Sequence, residues 1–168
     1  MSEPYAPRFD PYAAFEDALV QGVLVRRVFA TLVDFLLCGI AAGVLVVLGT
    51  ILGVLTLGLG FGLLVLLPAI PVLYTWFFVA RMSATPGQRL MGIAVRRDDT
   101  LGPPDGIEAL VWALGYALTL ALTFGLLWLL VVFFTRRKRA LHDIIPGLVV
   151  VRADALAAGP PGGWQSRR

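Results

Sequence analysis

Two stretches without a single ionisable side chain dominate the pattern: residues 35–80 and residues 109–135 contain no Asp, Glu, Lys, Arg or His. A helix that crosses a bilayer needs about 20 apolar residues, so the first stretch has room for two crossings and the second for one. The first helix is expected from about Val23 to Thr50, ending where Gly53, Gly58, Gly60 and Gly62 crowd together. The second is expected from about Phe61 to Ala80, kinked by Pro68 and Pro71, with Tyr74 and Trp76 at the membrane interface. Between Arg81 and Glu108 the chain turns polar. Thr85-Pro86-Gly87 carries a type II turn signal, and Leu90–Arg96 suits a short strand that ends in a charged turn at Asp98 and Asp99. The β-branched run Leu148–Val151 is its expected partner, which requires both to lie on one side of the membrane.

Composition sharpens this picture. The chain is 58% hydrophobic and 15% charged, with a mean hydropathy of +0.84, the balance of a bilayer protein. The fold class expected is therefore an all-α membrane protein: a small transmembrane helical bundle with two full spans, a third apolar segment that is either spanning or a re-entrant hairpin, and a short cytoplasmic β element. Residues 23–152 form the membrane domain. The first twenty residues carry Glu3, Asp10, Glu16 and Asp17 among their prolines, unlike a cleaved leader with its basic start; a mobile tail is expected over residues 1–22 and a disordered one over 153–168.

Charge supplies the orientation. Arg26 and Arg27 precede the first span, Arg81, Arg89, Arg96 and Arg97 follow the second, and Arg136, Arg137, Lys138 and Arg139 follow the third, while the turn between the first two has no basic residue. The positive-inside bias then puts the N-terminus, the 81–108 loop and the C-terminal segment in the cytoplasm of a bacterial-type inner membrane. Three full crossings would violate that parity, and a hairpin breaking near Thr123–Gly125 would restore it. The net charge of +3 and pI near 9.5 follow from these flanking residues. Without a basic and aromatic reading surface, they do not point to nucleic acid.

Candidate chemistry is sparse. Arg27, Ala30, Thr31, Asp34, Cys38 and Ala41 fall on one stripe of the first helix, with Asp34 about 10 Å further along the axis than Arg27. A carboxylate at mid-membrane costs about 2.5 to 3.5 kcal/mol, so Asp34 is expected to face the bundle interior and have a partner. Cys38, the single cysteine, excludes an intrachain disulfide and reads as packing. His142, the single histidine, cannot assemble the three or four ligands of a metal site by itself. No nucleophile elbow or phosphate loop is present, so neither an enzyme nor a cofactor is expected. Gly39 and Gly43, and Gly49 and Gly53, have the spacing that lets helices approach closely, within the chain or in a homo-oligomer. The basic run 136–139 suits anionic headgroups or simply stops translocation.

Three motifs, Arg27-x-x-Ala30-x-x-x-Asp34, Thr85-Pro86-Gly87-Gln88-Arg89-Leu90-Met91-Gly92 and Leu141-His142-Asp143, in this order across the apolar spans, resemble the RDD family of membrane proteins. The resemblance covers roughly Val23 to Val151. It implies that Arg27, Asp34 and Asp143 are the Arg and two Asp for which the family is named, and that unknown ligands are transported. Two positions depart from the family pattern: Val111-Trp112 stands where many members have Arg, and Leu148 where many have Thr. An ion path through that Arg would lack it here.

Two readings of these residues follow, movement of an ion or small solute as the working hypothesis and a scaffold as the alternative. In one, Asp34 exchanges a proton or a monovalent cation and Arg27 and Asp143 tune or gate it; so small a chain would then need to oligomerise to enclose a pathway. In the other, the three form a buried ion cluster that fastens the strands to the bundle of a non-transporting scaffold, which binds other membrane proteins.

Overall fold

The structure is a computed structural model that describes residues 10–123 and 141–160. It begins with α1, Pro11–Val20, capped by Asp10, whose carboxylate accepts from the Tyr12 amide at 2.9 Å, with Pro11 at the first helical position. Over residues 11–20 this differs from the expected mobile tail, whose first nine residues lie outside the described ones: Leu19, 5% exposed, and Phe15 pack on the sheet. Gly22, at φ +70°, supplies the left-handed turn into α2, Val23–Leu55.

At 33 residues, α2 is about 50 Å long and runs five residues past the end expected at Thr50. Its last two glycines, Gly49 and Gly53, lie under Leu64 and Phe61 of the returning segment instead of ending the helix. The chain reverses at Thr56–Gly58 and returns as a 3₁₀ helix, Leu59–Leu66, against α2. A Cβ on Gly60 would lie 2.3 Å from the Gly53 nitrogen, one on Gly53 would meet the Phe61 ring at 2.7 Å, and one on Gly49 would meet Leu64 at 2.9 Å. Gly49 and Gly53 therefore serve packing within the chain. Open space surrounds Gly39 and Gly43.

The apolar segment expected as one kinked helix is two pieces. The 3₁₀ helix meets α3, Ala69–Met82, at a 49° bend whose joint is Pro68, in keeping with its missing amide donor. Thr85-Pro86-Gly87 is not a free turn. It opens a short helix, α4, Pro86–Leu90, with Thr85 as N-cap and a reciprocal capping box to Gln88. Thr, then Pro at the first position, then Gln at the third is a helix-start pattern that competes with the turn signal.

Strand β1, Ile93–Arg97, pairs antiparallel with β2, Leu148–Arg152, with Val95 opposite Val150. Between them lies α5, Gly106–Thr123, whose N-cap Asp105 accepts from the amides of Ile107 and Glu108. The expected break near 123–125 sits at the edge of the described residues, and the basic run 136–139 lies outside them. After the short helix α6, Leu141–Ile144, and strand β2, residues expected to be disordered form α7, Ala153–Ala158, packed through Ala155 and Leu156.

The sheet is covered on both faces. Ile93, Val95, Leu148 and Val150 join Val23, Ala30, Val79 and Trp112 in the main core, while Val149 and Val151 face α1, as strict alternation requires. The long apolar helix α2 shows the reverse pattern. Only 6% of the most apolar window of the first span is buried, and Phe35 is 73% and Leu36 66% exposed. Side chains this apolar and this uncovered belong in lipid rather than water.

Candidate functional site

Where α2 enters the polar end of the molecule, one face stops being exposed: Val23, Arg27, Ala30 and Asp34 are all buried, at the four-three-four spacing of a single helix face. The two charged members go to different partners. Arg27, 5% exposed, forms an ion pair with the fully buried Asp143 at 2.6 Å. Asp143 also accepts from Trp112 Nε1 at 2.7 Å. This clamp joins the start of α2 to α5 and α6.

Among the described residues, Asp34 is held without a basic group. Its Oδ1 accepts from Tyr74 Oη at 2.7 Å and from the Gly87 amide at 2.8 Å, and its Oδ2 accepts a short hydrogen bond from Thr85 Oγ1. The expected three-residue ion cluster is thus two separate clamps, since no ion pair joins Arg27 to Asp34. The geometry of α4 explains why. Its capping box aims the Thr85 hydroxyl and the second amide of the helix at α2, and Gly87 packs so closely that a Cβ there would come within 2.3 Å of the Ala30 carbonyl oxygen. Two donors from one rigid turn satisfy the carboxylate where a long arginine is not needed. Arg26 completes the attachment by donating from Nη1 to the Met91 carbonyl at 2.8 Å.

Between the clamps lies an aromatic layer. Trp112 and Tyr116 stack with centroids 5.3 Å apart, and the His142 ring stands edge-on to both at 5.4 and 5.3 Å. Gly115 makes room, because a Cβ there would meet His142 Cβ at 2.9 Å. Thr31 and Tyr116 share a hydrogen bond of 2.9 Å across α2 and α5. Burial pushes the His142 imidazole down to about 4, against the pull of Asp143 at 3.6 Å, so the ring is neutral at pH 7. A cavity of about 10 Å³, room for roughly one water, sits among these groups.

Among the described residues no three His, Cys, Asp or Glu side chains gather as a metal site would need. Cys38 is a half-buried free thiol. Of the residues singled out by sequence, Arg27 and Asp143 meet each other, Asp34 meets Thr85 and Gly87, and Gly39 and Gly43 lie away from both groups. Sequence reasoning gave Tyr74 only an interfacial role, quoted Gln88 only as part of a motif and passed over Tyr116. Trp112 read only as a departure from a resemblance, yet it supplies a donor to Asp143. The spacing Trp112-x-x-Gly115-Tyr116 on one helix face was the available signal.

A family model described as the RDD family matches residues 22–147. No curated protein and no solved structure matches the chain.

Proposed function

Because the chain belongs to the RDD family, we propose that it is a multi-pass protein of a bacterial-type inner membrane that works as a non-conducting scaffold, with a locked cytoplasmic cap and helix faces open to other membrane proteins. The coarser statement, that this is a membrane protein, rests on the family and on the exposed apolar first span. The observation that carries the scaffold reading is the commitment of both carboxylates: Asp34 takes three donors from α3, Thr85 and α4, and Asp143 takes a guanidinium and an indole. Groups so engaged fasten elements together; a carrier site has to release its partners in each cycle. The cytoplasmic assignment draws support from the arginines that crowd the sheet end and from the reversal at Thr56–Gly58, which has none.

A transport reading keeps one specific support, the small polar cavity between Arg27, Asp34 and His142. There Asp34 would exchange a proton or monovalent cation, with Arg27 and Asp143 as the gate, and the pathway would need a homo-oligomer.

The two readings separate in proteoliposomes. Ion and proton flux is measured for wild type and Asp34→Asn, with melting temperature and size-exclusion profile as folding controls. The scaffold reading expects no flux of any cation and a destabilised variant. Wild-type flux that disappears in a variant of unchanged stability would overturn it.

A further inference from the structure

The cavity at the polar end holds more hydrogen-bonding capacity than the two clamps use. Among the described residues, Arg27 Nε and His142 Nδ1 are buried with no hydrogen-bond partner, in residues only 5% and 2% exposed, and both residues line the cavity. Buried polar atoms are costly to leave bare, so the occupant has to answer them.

The lining decides its chemistry. Arg27 brings a spare donor, and the Gln88 side chain, whose Oε1 already accepts from the Thr85 amide, turns its amino group to further use as a second. Asp34 Oδ2, His142 Nδ1 and the Tyr116 oxygen bring acceptor capacity. A bare cation would want acceptors alone and would sit against the Arg27 guanidinium. An anion would sit against the Asp34 carboxylate. A water donates two bonds and accepts two, is neutral, and fits a space of about 10 Å³.

We propose that one resident water fills this cavity, accepting from Arg27 Nε–H and donating one hydrogen to His142 Nδ1 and the other to the Asp34 carboxylate, and that it joins the Asp34 clamp and the Arg27–Asp143 clamp into one hydrogen-bonded unit. The ring proton of His142 then sits on Nε2, the nitrogen that faces Asp143 at 3.6 Å. The inference rests on the scaffold reading for the claim that the clamps act together; the water itself is independent of whether the protein conducts.

His142 is the only histidine in the chain, which makes it a clean reporter. The full chain, labelled with ¹⁵N-histidine and reconstituted in lipid bilayers, is measured by water-edited solid-state NMR. Expected are a neutral ring protonated at Nε2 and magnetisation passing from an immobile water to Nδ1. No transfer to Nδ1 overturns the proposal, and so does a His142 signal that moves when sodium or lithium is added, which would assign the space to a cation. Val150→Ile adds a methyl group to the lining. It is expected to abolish the transfer and lower the melting temperature by about 3 °C, because it displaces a bound water. A raised melting temperature would mean a dry void had been filled and would overturn the proposal; if the variant does not fold, the wild-type spectrum alone decides. Ion flux from the same liposomes would sink the scaffold reading and leave the water where it is.

Discussion

The two ends of α2 are built on opposite principles. At its start the helix is held by charge and directed hydrogen bonds: Arg27 to Asp143, and Asp34 to Tyr74, Thr85 and Gly87. At its far end it is held by the absence of side chains, with Gly49 and Gly53 pressed on Leu64, Phe61 and the backbone of Gly60. Between the two, from Phe35 to Leu48, the helix is largely uncovered. The difference follows from the surroundings. At the polar end a hydrogen bond can fix one register among several elements that arrive from distant parts of the chain. In hydrocarbon, lipid tails are as apolar as leucine, so close van der Waals approach is what holds a helix pair.

The comparison breaks most directly at Arg27. Arg27→Ala removes the guanidinium that pairs with the buried Asp143 and is expected to destabilise by about 3 to 5 kcal/mol, seen as a large fall in melting temperature in detergent. Arg27→Met combined with Asp143→Leu should recover much of that loss, because it removes the orphaned charge as well. A double variant no better than the single one would mean the ion pair is needed for more than stability.

Acid should loosen the same end. The His142 imidazole is held near 4 in the folded protein against an ordinary value near 6.5. The unfolded chain therefore binds a proton first as pH falls, and the folded state loses stability from about pH 6.5 down to about 4, by on the order of 3 kcal/mol in all. Above pH 6.5 the contribution is constant. Melting temperature followed from pH 8 to 4 tests the sign, and His142→Phe should flatten the profile over that window.

The glycine end should respond least. Gly53→Ala pushes a methyl group into the Phe61 ring, which can shift only at the expense of the 3₁₀ packing, for an expected cost of about 1 to 2 kcal/mol. Gly43→Ala meets nothing within 4 Å and should give a small gain, below about 1 kcal/mol, from better helix propensity. Both are read by thermal melting and size exclusion. A loss at Gly43 would mean that a second helix seats there, the mark of a homo-oligomer.

Much of the fold was legible because it repeats along the chain. The charge-free run 35–80, proline at 68 and the β-branched segments each state a local preference that packing did not overturn, although the strand expected at 90–96 starts at Ile93 because Leu90 closes α4. The described parts of the terminal segments, 11–20 and 153–158, were misread because polarity at the sequence level hid a short amphipathic contact: Phe15 and Leu19 pack against Val149 and Val151. Thr85-Pro86-Gly87 was misread for a related reason, since turn and helix start share the same residues and the capping box to Gln88 decides between them.

By itself, then, the sequence determined that this chain enters a bilayer, which end carries the arginines, and that Arg27 and Asp34 share one helix face, because hydropathy and helical period are local properties. Only the tertiary structure decided that Arg27 takes Asp143, more than a hundred positions away, while Asp34 takes hydroxyls and an amide. Which donor reaches a buried carboxylate depends on how α3, α4 and α5 cross α2, and those crossings are set by glycine contacts and core packing that no short window of sequence contains.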